Sequence, residues 1–112
     1  MVSFNEKLKK SIKTKRSHLC VGLDISPEGL GNKNISLSNL KDHTLKIINA
    51  TQDLAVAFKP NLGFYERWGS QGFQWLEQTI EIFDEETIVI GDAKRGDIGN
   101  TAKQYAQSLF NH

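Results

Sequence analysis

The sequence predicts an α/β fold built on about three parallel strands, on three observations. Short apolar or β-branched runs alternate with segments of helical period in the order strand, helix, strand, helix, strand. Strands joined by such crossovers run parallel and bury both faces, which suits their near-continuous apolar character. Each run also ends in charge at a repeated interval: Lys59 lies 35 residues after Asp24 (59 − 24) and Lys94 lies 35 after Lys59 (94 − 59). In open parallel sheets and in (β/α)8 barrels, the C-terminal strand ends are where chemistry sits.

The elements follow in order. Ser3 with Glu6 is a capping-box pattern, and Phe4, Leu8 and Ile12 recur four apart, predicting an amphipathic helix from Phe4 to about Lys15. Its Lys7, Lys9, Lys10, Lys13, Lys15 and Arg16 read as a solvated face whose cations complement the helix dipole. Leu19 to Leu23 reads as a buried strand that leaves at Asp24 into a loop with Pro27, Gly29, Gly31 and Asn32. A helix capped by Ser38 or Ser36 presents Leu40, Thr44, Ile47 and Ile48 on one face. The run Leu54 to Phe58 is the second strand, stopped at Lys59-Pro60 because proline cannot continue a central strand.

A loop is expected around Asn61 and Gly63, followed by a helix with the stripe Phe73, Leu76, Ile80 and Phe83. Thr87 to Ile90 is the third strand. Asn100 to Phe110 then reads as a helix with Ala102, Tyr105, Ala106 and Leu109 on one face.

With 112 residues, 38% hydrophobic and 24% charged, the composition is that of a soluble globular domain and excludes a disordered chain. Fourteen basic against thirteen acidic residues leave a net charge of +1, so no overall field recruits nucleic acid or an anionic membrane. An anionic ligand must therefore be held by a local site. Cys20 is the one cysteine, which excludes an internal disulfide; its apolar setting reads as a buried, inert thiol. The N-terminus lacks an apolar signal region and the longest strictly apolar run, Leu54 to Phe58, is too short to span a bilayer, so a cytoplasmic protein is expected. A barrel of eight units needs roughly 250 residues. A chain of 112 residues with three strands accordingly reads as a fragment, its two sheet edges awaiting more chain or a partner.

The segment from Gly91 to Thr101 carries the most chemistry. If Ile90 to Lys94 is extended, Asp92 and Lys94 project to one face, with Asp97 just beyond in the loop. Charges near a strand end are costly unless paired, so these three are expected to form a mutually compensating array. A lone Asp-x-Lys is more often a surface ion pair. Here Asp24 and Lys59 end the neighbouring strands on the same rim, which favours convergence.

Leu19-Cys20-Val21-Gly22-Leu23-Asp24, Phe58-Lys59-Pro60-Asn61 with Phe64-Tyr65-Glu66, and Asp92-Ala93-Lys94-Arg95-Gly96-Asp97-Ile98-Gly99-Asn100-Thr101 resemble, in order and spacing, the orotidine 5'-phosphate decarboxylases. The Phe-Lys-Pro-Asn form is similar to that of the longer bacterial branch. The resemblance implies a single TIM (β/α)8 barrel domain, of which residues 1–112 are the N-terminal fragment, that converts orotidine 5'-phosphate to UMP and CO2 without a cofactor or metal. It implies that Asp24 holds the ribose hydroxyls, that Lys59 binds ribose and orders the carboxylates, and that Asp92, Lys94 and Asp97 complete the catalytic array. The resemblance to this branch also implies that Asn61 contacts substrate. Asp97, Ile98 and Thr101 are implied to cross a homodimer interface into the partner's site. The pyrimidine-recognising residues, the mobile phosphate loop and the phosphate-binding arginine belong to later strands. A 112-residue fragment is therefore expected to be inactive alone.

The cluster suits that reaction physically. Loss of CO2 from C6 of the pyrimidine leaves an in-plane carbanion that the ring cannot delocalise, and a fixed cation can stabilise it and then protonate it. Lys94 is the candidate for both tasks, with Asp92 doing electrostatic work near the substrate carboxylate. Two rivals stand beside this reading: a related barrel enzyme acting on a keto-sugar phosphate with a metal, and an inactive remnant. Arg95-Gly96-Asp97 is discounted as an adhesion tripeptide. His18, His43 and His112 lack ligand-like spacing, and Trp68, Trp75, Phe73 and Tyr65 read as helix-packing aromatics.

Overall fold

The computed structural model describes residues 1–111; His112 lies outside the described residues. Helix α1 spans Phe4–Lys15, and both halves of its capping box form: the Ser3 hydroxyl accepts from the Glu6 amide and the Glu6 carboxylate accepts from the Ser3 amide. Three strands follow, β1 (Leu19–Leu23), β2 (Ala55–Pro60) and β3 (Ile88–Val89), in a parallel sheet of order β1-β2-β3. The connections are α2 (Leu37–Thr51) between β1 and β2, and α3 (Leu62–Glu66) with α4 (Ser70–Glu81) between β2 and β3. Helix α5 (Gly99–Phe110) closes the order.

The strand register corrects the even 35-residue interval. Leu23 pairs with Pro60, an offset of 37 (60 − 23), whereas Ala57 pairs with Ile88, an offset of 31 (88 − 57). The two crossovers differ in length, so the residues level with one another at the rim are Asp24, Asn61 and Asp92, with Lys59 one step of the pleat below. Asn61 bridges Asp92 directly, and the ladder runs past β3 through Ile90 N–H to the Phe58 carbonyl (2.9 Å) and Asp92 N–H to the Pro60 carbonyl (3.0 Å). Pro60 donates nothing and ends β2, yet its carbonyl fixes the height of Asp92.

Alternation divides the sheet into two faces. Val21, Leu23 and Phe58 face the helices, where Leu23 and Phe58 are buried with Ile48, and Phe83 stacks on Phe58 at 4.6 Å between ring centroids. Cys20, Gly22 and Asp24, with Ala57, Lys59 and Asn61, occupy the opposite face. The N-terminal end of the sheet is closed by α1, whose Leu8 and Ile12 pack on buried Val56, Ala57 and Ile88. Three lysines of α1 also reach across: Lys7 and Lys15 donate to the Thr87 and Gln52 carbonyls, and Lys10 pairs with Glu86. The third cluster, Leu40, Leu62, Tyr65, Trp75, Leu76 and Ala93, lies beneath the C-terminal rim.

Four expectations need correction. Strand β1 is an edge of this three-stranded sheet, so Leu19 and Cys20 are exposed in this chain and only Leu23 is buried. The stretch after Asn61 is the helix α3 rather than a loop. Pro60 ends the strand, the Asn61 side chain accepts from the Gly63 amide as a cap, and Leu62 and Tyr65, three apart, are buried on one side. Helix α4 is rotated from its expected stripe: Gly72, Trp75, Leu76 and Thr79 are buried, whereas Phe73 and Ile80 are 48% and 43% exposed. The cause is Gly72, whose missing side chain lets α4 lie directly against the Tyr65 carbonyl; a Cβ there would overlap it. The third strand is also shorter than its β-branched run, confined to Ile88–Val89. As expected, α2 buries Leu40, Thr44 and Ile48, with Ser36 as its cap.

Candidate active site

The rim charges are delivered by the strand ends, and Asp92 is their centre. The Lys94 ammonium donates to both Asp92 oxygens at 2.7 Å, and the Lys59 ammonium stands 3.5 Å from Oδ2. The Asp92 side chain is only 22% exposed, against 41% for Lys59 and 68% for Lys94. The Lys94 hydrogen bond holds the Asp92 carboxyl below the ordinary carboxylate value against the opposing effect of partial burial, and Lys59 adds to the lowering. The result is a cation–anion–cation row along one face of the sheet.

Lys94 reaches that row by an unexpected route. Its backbone is not extended but left-handed, with φ of 51°. A non-glycine residue in that region costs roughly 1–2 kcal/mol, so the surroundings must hold it there. Asp24 stands on the same face, its carboxylate turned back over Gly22: a Cβ at Gly22 would lie 2.9 Å from Oδ1. It is exposed, and among the described residues no ion pair reaches it. Its charge is felt by buried Tyr65, whose phenol is pushed well above its ordinary value, first by burial and then by Asp24. That phenol is therefore a neutral hydroxyl at the foot of the site.

Asp97 does not join the row. Its Oδ1 accepts the Ile98 amide at 2.7 Å, in the manner of a turn, and the side chain is exposed. Ile98 is 84% exposed and Thr101 lies exposed on the first turn of α5. The three residues thus form a separate outward group. Asn61 is occupied as the cap of α3 and sits beside Asp92.

Sequence reasoning missed the ion pairs at the end of α3. Adjacent residues at the end of α3 reach in different directions: Glu66 pairs with Arg95, and Arg67 holds Glu28 of the β1–α2 loop through two hydrogen bonds of 2.8 and 3.3 Å. Arg67 draws the Glu28 carboxyl from 4.5 down to about 2. The adjacency Glu66-Arg67 was the available signal, legible only once α3 is known to be helical. Among the described residues, no three His, Cys, Asp or Glu side chains are placed to hold a metal, and no helix is long and apolar enough to cross a membrane.

Residues 17–112 match the sequence profile of the orotidine 5'-phosphate decarboxylase / HUMPS family. The chain belongs to this family. The orotidine 5'-phosphate decarboxylase of Porphyromonas gingivalis is 48% identical over 106 residues, covering 88% of this chain and 37% of that protein. That of Parabacteroides distasonis is 42% identical over 111 residues, covering 96% and 40%. The structure of Leishmania donovani OMP decarboxylase superposes with a TM-score of 0.81 at 33% identity, covering 99% of this chain and 41% of that one. The fold of this orotidine 5'-phosphate decarboxylase family member is thus a three-stranded portion of a TIM barrel, and the chain spans about 40% of the length of the curated relatives it matches.

Proposed function

We propose that residues 1–112 are the N-terminal part of a single (β/α)8 barrel domain of an orotidine 5'-phosphate decarboxylase, converting orotidine 5'-phosphate to UMP and CO2. The observation that carries this reading is the row Lys59–Asp92–Lys94 at parallel strand ends, with Asp92 level with Asp24 across the sheet. A substrate seated over that face with its ribose toward Asp24, Asn61 and Lys59 brings the pyrimidine C6 toward Asp92 and Lys94.

The chemistry needs a cation where negative charge develops. On loss of CO2 the electron pair stays on C6 in the ring plane; the Lys94 ammonium faces it and supplies the proton that completes UMP. Asp92 keeps that ammonium in place, and Lys59 keeps Asp92 ionised. No step calls for an electron-sink cofactor. Asp97, Ile98 and Thr101, exposed and turned from their own site, suit a homodimer in which they complete the partner's site. A cytoplasmic location fits a soluble enzyme of nucleotide synthesis.

Direct assay tests this. A complete barrel containing this segment is expected to release CO2 from orotidine 5'-phosphate and to leave keto-sugar phosphates untouched. Turnover of a keto-sugar phosphate, with none of orotidine 5'-phosphate, would overturn the reading.

A further inference from the structure

We infer that Arg95 is a positioning residue for Lys94, acting through the backbone. The inference deepens the proposed function and rests on it for its kinetic consequence. The ladder of hydrogen bonds that fixes the chain ends at Asp92, whose amide donates to Pro60 and whose carbonyl accepts from Leu62. Lys94, two residues on, is left-handed and mostly solvent-exposed, tied at its tip to Asp92. Its own backbone is held by its neighbours. The Arg95 guanidinium donates to the Ala93 carbonyl at 2.7 Å, closing the bend around Lys94, and its second nitrogen is fixed by Glu66 of α3. The same guanidinium stands 5.8 Å from the centroid of the Tyr105 ring on α5.

Three anchors from three elements therefore hold one planar group, and that group holds the bend. A lysine at this position can meet Glu66 or the Ala93 carbonyl but lacks the rigid fork that meets both. Glu28 with Arg67 offers an internal comparison: an exposed pair between the β1–α2 loop and the end of α3 that touches neither Ala93 nor Lys94.

The test uses a complete barrel containing this segment, in the wild-type form and as Arg95→Lys, Glu66→Gln and Glu28→Gln, each checked for folding by its melting temperature. The Asp92 carboxyl is titrated by carbon NMR and kcat and KM are measured on orotidine 5'-phosphate. Released from its bend, Lys94 leaves Asp92, so the Asp92 pKa is expected to rise toward 3.8 in Arg95→Lys and, less, in Glu66→Gln. A misplacement of ~1 Å can cost about 10²-fold, and kcat is expected to fall about 10-fold or more with KM within about threefold. Glu28→Gln is expected to leave Asp92 and kcat unchanged. An Asp92 titration unmoved in folded Arg95→Lys, or moved equally in Glu28→Gln, overturns the inference. Wild-type protein that fails to decarboxylate orotidine 5'-phosphate overturns the proposed function instead, and the Asp92 titration still decides the role of Arg95.

Discussion

Lys94 meets its partner with 2.7 Å contacts to both oxygens of one carboxylate, which is tighter than surface ion pairing demands. In a complete barrel containing this segment, Lys94→Ala is expected to lower kcat at least ~10³-fold with a smaller change in KM, because a general acid contributes about 10²–10⁴ and the electrostatic stabilisation is lost with it. A folded variant that keeps more than a tenth of its turnover would sink that assignment; Asp92→Asn, measured beside it, separates loss of the cation from loss of its holder. The pH dependence has a definite sign. Asp92 has a depressed pKa in the folded chain, so its contribution to stability is present above the ordinary value of 3.8 and is lost as pH falls through the depressed one. Glu28 follows the same rule between 4.5 and about 2, and its NMR titration is expected to return toward 4.5 in Arg67→Gln. The pairing of Asp92 with Lys94 was legible from their spacing, but the extended backbone assumed for it was not. A left-handed lysine leaves no mark in composition or period. The same spacing argument placed Asp97 in the array, and there a local bond to the Ile98 amide wins over a longer reach.

Between elements, contact is decided as much by missing atoms as by apolar ones. Gly72 has no positive φ to account for it; its place in α4 is fixed by the nearness of the Tyr65 carbonyl. Gly72→Ala gains up to ~1 kcal/mol of helix propensity, yet forcing α3 and α4 apart costs about 1–3 kcal/mol or more, so a net loss of stability is expected in denaturant melts. Gly96→Ala is the control, since a Cβ there meets nothing within 4 Å. Helices of 12 residues or more were legible because periodicity has several turns in which to repeat, as in α1, α2 and α5. The five residues of α3 give one turn and no period, and the face of α4 turned away from its apolar stripe because a glycine contributes nothing to such a stripe. In α5 no residue is buried, although Ala102, Tyr105, Ala106 and Leu109 do share one side, lining a cleft against the Lys94–Asp97 loop.

Over the whole molecule, the sheet has a well-covered helical face and a charged, open one. Parallel order and the rim location of the charges were legible because crossovers and strand-end charges are sequence-local features. The exposure of β1 was not, since which strand lies at an edge depends on what pairs with it. The 112-residue chain by itself is expected to show no enzyme-like turnover of orotidine 5'-phosphate, because the family resemblance assigns phosphate and pyrimidine recognition to later strands and remote binding energy drives the chemistry. Near-family turnover by the purified chain, verified by mass, would refute this.

The open edge at β1 has a practical corollary. Cys20 shares the face of Gly22 and Asp24, two pleats below the carboxylate, and it is the one thiol in the sequence. A thiol reagent added to this chain reports from the floor of the site without any engineered label. When a further strand docks along β1 and the cavity closes over that floor, labelling is expected to slow, so the native cysteine serves as a clock for assembly from separately produced parts.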